Sequence, residues 1–266
     1  TTLFNKNKVM KYEIQLLIIL LLSLCIMSCS VENATTDRKN VADIVINTTQ
    51  APSEKIPIVK TRENPIQYLA LGDSYTIGQS VCEKCTFPAQ LKNSSQNTNL
   101  KNNFGLKIIA QTGWTTTNLI AAIENANLTP NYDLVTSLIG VNNQFQRQSF
   151  SLYQKEFPEL VTKSIALAKG DKTKVIVVSI PDYAYTPAGE GFGNTSTISE
   201  EINKYNEFAA NYCQNNSVPF ISITEITRGG IADKELVATD GLHPSEKAYR
   251  LFVEHIAPLA ANLLNN

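Results

Sequence analysis

A three-layer α/β domain is the fold class that this sequence predicts, and three observations carry that reading. From Ile66 onward, short apolar runs rich in β-branched residues alternate with longer stretches of helical period, the pattern of βαβ units around a parallel sheet. The short runs are nearly continuous in apolar character, which suits strands covered on both faces. No internal repeat or low-complexity tract interrupts residues 66–266, so one domain is expected there. Hydrophobic residues make up 43% of the chain and charged residues 18%, a balance that supports a single buried core.

Taken in order, the first elements belong to export rather than to the fold. Lys6, Lys8 and Lys11 precede an apolar run from Leu16 to Leu24, followed by Cys25-Ile26-Met27-Ser28-Cys29. Basic residues, an apolar run and a small residue before a cut site compose a secretory signal. The run is shorter than the roughly 20 residues that a membrane span needs. Ile26-Met27-Ser28-Cys29 resembles a bacterial lipobox, which implies a signal peptide over 1–28, lipidation of Cys29 and a place in the cell envelope. Polar, weakly patterned sequence then runs to about Pro65 and reads as a flexible tether over 29–65, spanning about 30 Å on average. The net charge is -1; removing 1–28 takes away three lysines and Glu13, leaving 20 basic and 23 acidic residues. A mildly acidic domain has no basic stripe for nucleic acid and no attraction to anionic lipid, so any membrane association would come from the anchor.

Within the domain, strands are expected at 67–71, 106–110, 134–139, 175–180 and 220–223, and helices at 116–126, 153–168 and 199–214. In the last helix Pro244 is read as a first-turn proline, with Ala248, Leu251, Phe252, His255, Ile256 and Leu259 on one buried stripe. His255 is accordingly expected to be a packed structural residue.

In open α/β sheets, ligands bind beyond the carboxyl ends of the strands. Gly72-Asp73-Ser74-Tyr75, Gln111-Thr112-Gly113-Trp114 and Gly140-Val141-Asn142-Asn143 fall just beyond the first three strands, and Asp240-Gly241-Leu242-His243 follows the fifth. Each supplies something that acyl transfer needs. A serine hydroxyl requires an adjacent base, histidine suits that task near neutrality, and a carboxylate fixes the histidine tautomer. Asp240 and His243, three apart, fit that pairing. The Ser74 and Gly113 N–H groups and the Asn142 amide are candidate oxyanion donors.

Together, in this order and spacing, Gly72-Asp73-Ser74, Gly113, Gly140-x-Asn142 and Asp240-x-x-His243 resemble the SGNH hydrolase superfamily, the GDSL-type esterases and lipases, over residues 66–266. The resemblance implies a flavodoxin-like five-stranded parallel sheet of order 2-1-3-4-5. It also implies Ser74 as nucleophile, His243 as base, Asp240 as its orienter, and an oxyanion hole from Ser74, Gly113 and Asn142. Two departures stand out: Tyr75 where the family often has leucine, and Asn143 where it often has aspartate. An α/β-hydrolase is a poorer match, because Ser74 lies outside any Gly-x-Ser-x-Gly elbow.

Cys82-Glu83-Lys84-Cys85 has the spacing of a redox or metal pair, but too few other ligands remain for zinc, and a disulfide is expected in an exported protein. Cys213 is expected to be buried and free. Tyr75, Trp114 and Asn143 are candidate substrate contacts, and the Gly/Pro-rich stretch from Pro181 to Gly193 a candidate rim. The expected activity is hydrolysis of a carboxylic ester, a carbohydrate acetyl ester or a short-chain acyl ester, with no cofactor and no metal. O-acyl transfer, thioester cleavage and a non-catalytic binding module remain open alternatives.

Overall fold

A parallel sheet carries the fold. A computed structural model describes residues 65–94 and 104–265, all within the unit Pro57–Asn266. The expected leader over 1–28, Cys29 and the tether as far as residue 64 lie outside the described residues. The strands are β1 (Ile66–Gly72), β2 (Phe104–Ala110), β3 (Leu134–Leu138), β4 (Val175–Val178) and β5 (Phe220–Ile221). Their order is β2-β1-β3-β4-β5, and every pairing is parallel. The fold class and strand order expected from the sequence are therefore observed.

The helices are α1 (Ser74–Ile77), α2 (Phe87–Asn93), α3 (Thr116–Asn125), α4 (Val141–Phe145), α5 (Phe150–Leu167), α6 (Thr195–Asn216), α7 (Thr224–Arg228) and α8 (Glu246–Asn265). Helix α8 packs on α2 and α7, whereas α5 packs on α3 and α6; both α5 and α8 reach β3. All five residues of β3 are buried, as are all four of β4, which is why neither run alternates with charged residues. Between α5 and α6 lies an aromatic cluster in which the Tyr153 ring sits 4.6 Å from Tyr205 and 5.2 Å from Phe157.

Strands β4 and β5 stop two residues earlier than the apolar runs suggest, because side chains take over the backbone groups. Asn206 accepts the Ile180 N–H at 2.8 Å and donates to its carbonyl at 3.1 Å, while the Ser179 hydroxyl accepts the Ile223 N–H at 2.8 Å. The last helix also corrects two expectations. Pro244 lies before it, in an isolated antiparallel bridge with Val237. Its buried face runs through Ala248, Tyr249, Phe252, Val253, Ile256, Ala257 and Ala260, so Leu251 and Leu259 sit at the margin and His255 is exposed. The expected stripe omitted Tyr249, whose ring is fully buried and packs edge-on against Phe252 at 5.5 Å.

Glycine is required where β1 meets the first loop. A Cβ at Gly72 would stand 2.4 Å from the Leu138 carbonyl oxygen and 2.1 Å from Thr76 Oγ1. That contact draws β1 and β3 together beneath the residue that follows, and so fixes where the chain leaves the sheet.

Candidate active site

The chain leaves β1 through Asp73, whose carboxylate caps α1 by accepting the Tyr75 N–H at 3.0 Å. Ser74 therefore begins a helical turn at the carboxyl edge of the sheet, 4% exposed. Beneath it Asp73 is fully buried, and burial lifts its carboxyl to about 7 even though the backbone N–H of Tyr75 holds it down. Its Oδ2 has no hydrogen-bond partner, nor has the hydroxyl of Tyr249, another buried group.

The Asp240-Gly241-Leu242-His243 segment folds into an Asx-type turn. Asp240 Oδ1 accepts the N–H groups of Leu242 at 2.9 Å and His243 at 3.0 Å. Gly241 takes a left-handed φ of 75°, and its carbonyl accepts the Ala188 N–H at 2.9 Å, tying this turn to the loop after β4. The other carboxylate oxygen, Oδ2, lies 2.6 Å from His243 Nδ1, so the spacing of three places these groups in direct contact. Occupying Nδ1 in this way leaves Nε2 as the free nitrogen of the ring. Burial alone would raise the Asp240 carboxyl, but hydrogen bonds from Ser80, from two backbone N–H groups and from His243 bring it down to about 2.

Ser80 was invisible to sequence reasoning. Its hydroxyl donates to Asp240 Oδ2 at 2.6 Å across 160 positions, from a left-handed backbone with φ 67°. The preceding Gln79 accepts from the Thr112 hydroxyl at 2.6 Å, next to Gly113. Two residues beyond Ser80 begins the Cys82–Cys85 disulfide, with Cα atoms 5.0 Å apart. One short loop thus reaches both Asp240 and the Gly113 turn, and the disulfide closes it. Cys213 is buried and free.

Ser74, Gly113, Asn142 and His243 border one cleft of about 220 Å³, walled by Tyr75, Val141, Phe145, Tyr183 and Leu242. Gly113 stands at φ 81°, and its carbonyl accepts from Gln146 at 2.8 Å. Asn142 donates one amide N–H to the Trp114 carbonyl at 3.0 Å, which orients the amide and leaves its second N–H. Tyr75 packs its ring 5.1 Å from that of His243. Trp114 and Asn143, candidate contacts in the sequence, are not among the residues lining the cleft. Asn143 is fully buried: its Oδ1 accepts the Thr116 N–H at 3.0 Å and its amide donates to Thr116 Oγ1 at 2.6 Å. Thr116 in turn donates to Glu156 at 2.5 Å, so residue 143 braces the floor of the site. The 181–193 stretch supplies Tyr183 to the cleft, and is braced by the buried Asp182, which accepts from Ser199 at 2.7 Å and Arg228 at 3.0 Å. Phe145, Gln146 and Leu242, like Ser80, carry no sequence signal that sets them apart from core or turn residues.

No group of three or more potential metal ligands occurs among the described residues.

The profile of the GDSL-like lipase/acylhydrolase family matches residues 70–251, which include every residue lining the cleft. The chain belongs to this family. Solved structures share the fold: a lipase/acylhydrolase from Enterococcus faecalis has 19% identity and a TM-score of 0.56, covering 74% of this chain and 96% of that one. A lipase from a goat rumen metagenome has 19% identity and a TM-score of 0.57, covering 74% and 98%. The psychrotrophic esterase EstA from Pseudoalteromonas sp., in a structure inhibited by monoethylphosphonate, has 17% identity and a TM-score of 0.52, covering 75% and 99%. No curated protein sequence matches this chain.

Proposed function

We propose that this GDSL-family domain is a serine ester hydrolase acting through an acyl-enzyme. The observation that carries the reading is the pairing of Asp240 with His243 at 2.6 Å on a cleft that Ser74, Gly113 and Asn142 share. With Nδ1 held by Asp240, His243 Nε2 takes the proton as Ser74 Oγ attacks the ester carbonyl carbon. The carbonyl oxygen gains negative charge, which the Ser74 and Gly113 N–H groups and the Asn142 amide stabilise. Collapse of that intermediate expels the alcohol, which takes the proton from His243. Water, activated by the same nitrogen, then attacks the acyl-serine and releases the acid.

The acyl portion is short. The cleft is smaller than the roughly 300–1,000 Å³ of drug-sized pockets, and Tyr75, Val141, Phe145 and Leu242 give it apolar walls. Export to the cell envelope with a lipid on Cys29 is part of the same reading, and the Cys82–Cys85 disulfide fits an oxidising compartment.

The test is hydrolysis of p-nitrophenyl esters from acetyl to decanoyl by the protein and by Ser74→Ala, with fluorophosphonate labelling mapped by mass spectrometry. The expected result is a maximum at acetyl to butyryl, loss of at least about 1,000-fold in Ser74→Ala, and label on Ser74 alone. Equal rates from both proteins would refute Ser74 as nucleophile; a maximum at decanoyl would refute the short acyl pocket. Mass analysis of the membrane-extracted protein for a diacylglyceryl group on Cys29 tests the anchor.

A further inference from the structure

Beside the small cleft lies a groove of about 720 Å³, and Phe145 and Tyr183 line both. We propose that this groove binds the alcohol portion of the ester and is built for a carbohydrate that carries a carboxylate. The inference rests on the hydrolase reading and deepens it.

Two of its walls are aromatic and uncovered. Phe145 is 44% exposed and Phe192 45%, and the two lie side by side. They pack edge to face at 5.2 Å, and each also meets the Tyr183 ring, at 5.6 Å and 6.2 Å. Tyr183 is held in turn: its hydroxyl donates to Gln144 at 2.9 Å, and Gln144 donates to Glu201 at 2.7 Å. Tyr183 is itself buried, so the open ring surface at the junction of groove and cleft is that of Phe145 and Phe192, which stand nearly perpendicular to each other. An exposed, electron-rich ring face suits the C–H face of a pyranose.

The rest of the lining is mixed: Phe150, Ile198 and Tyr205 are apolar, and charged groups stand beside them. It carries Arg147 and Lys204 against one carboxylate, Glu201, which already accepts from Gln144. Lys204 Nζ lies 4.2 Å above the Phe150 ring. Arg147 is exposed, on a left-handed backbone of φ 57°, with no ion-pair or hydrogen-bond partner for its guanidinium among the described residues. A planar guanidinium fits a carboxylate bidentately. Exposed aromatic faces and an unmatched positive charge together describe an acidic sugar.

Two probes test this: trigalacturonate, acidic, and xylotriose, neutral. Titration calorimetry on full-length Ser74→Ala is expected to give binding to trigalacturonate at least about 10-fold tighter than to xylotriose, weakening with added salt. Arg147→Gln and Phe192→Ala, both at exposed positions, are each expected to weaken trigalacturonate binding about 10-fold. With the active serine present, the same substitutions should lower the ratio of kcat/KM for acetylated oligogalacturonate to that for p-nitrophenyl acetate by a similar factor. Absence of trigalacturonate binding, or binding indifferent to both substitutions, overturns the subsite; equal affinity for xylotriose overturns its acidic selectivity. If p-nitrophenyl acetate is cleaved equally with and without Ser74, the hydrolase reading fails, while calorimetry still decides whether the groove binds acidic sugar.

Discussion

Replacing Asp73 by asparagine is expected to leave stability unchanged near pH 4 and to raise it at pH 8. Asp73 is fully buried beneath Ser74, one carboxylate oxygen accepts the Tyr75 N–H, and the other has no partner. Burial raises the carboxyl from 3.8 to about 7. The folded protein therefore keeps a proton that the unfolded chain has already released. Stability from this group is complete below about pH 4, falls as pH rises toward 7, and is level above that. A shift of about 3 units at 1.36 kcal/mol each gives about 4 kcal/mol as the largest cost of ionising Asp73, and water reaching Oδ2 would reduce it. Asparagine keeps an acceptor for the Tyr75 N–H, caps helices as well as aspartate does, and cannot ionise. Urea unfolding of both proteins at pH 4.5, 6 and 8 measures the difference, and contributions from every other group cancel. A stability difference that stays constant across these pH values, or a variant less stable than the parent at pH 8, would refute the reasoning.

Three further perturbations address the supports of the site. Ser80→Ala removes one of four hydrogen bonds on the Asp240 carboxylate; at about 1.5 kcal/mol for a charged acceptor it lowers kcat about 10-fold with KM little changed, read from p-nitrophenyl acetate kinetics. Because Asp240 sits at about 2, its contribution to stability is present above pH 4 and lost as pH falls toward 2, and in Ser80→Ala acid unfolding begins at higher pH. Asn143→Asp puts a second acceptor against Thr116 Oγ1, whose proton already serves Glu156. The expected loss is about 1–3 kcal/mol by thermal unfolding, recovered when Glu156→Gln is added. Reducing Cys82–Cys85 opens a short ring worth about 2 kcal/mol, and the expected signature is a fall in kcat that parallels Ser80→Ala, because the same loop carries Gln79 and Ser80.

Which of these features the sequence discloses follows from the range of the forces involved. The central strands are legible because burial on both faces keeps them from alternating apolar and charged residues, and the Asp240-His243 contact because three residues in one turn hold it. Strand ends are less so: Asn206 takes the backbone groups of Ile180 from a helix 26 positions away. The stripe of α8 is displaced because Tyr249, a residue with a polar tip, is more deeply buried than Leu251. Long-range polar partners leave no local trace at all, and Ser80 is the clearest instance. Asn143 shows the consequence for reading a family pattern. As an isolated departure it looks like the loss of an acid. Beside Thr116, whose single hydroxyl proton goes to Glu156, it is the residue the site requires, since the Thr116 oxygen then needs a donor and an amide supplies one. The carboxylate that takes the Thr116 proton stands at position 156, and the amide at position 143 becomes intelligible only once the fold has brought Glu156 alongside.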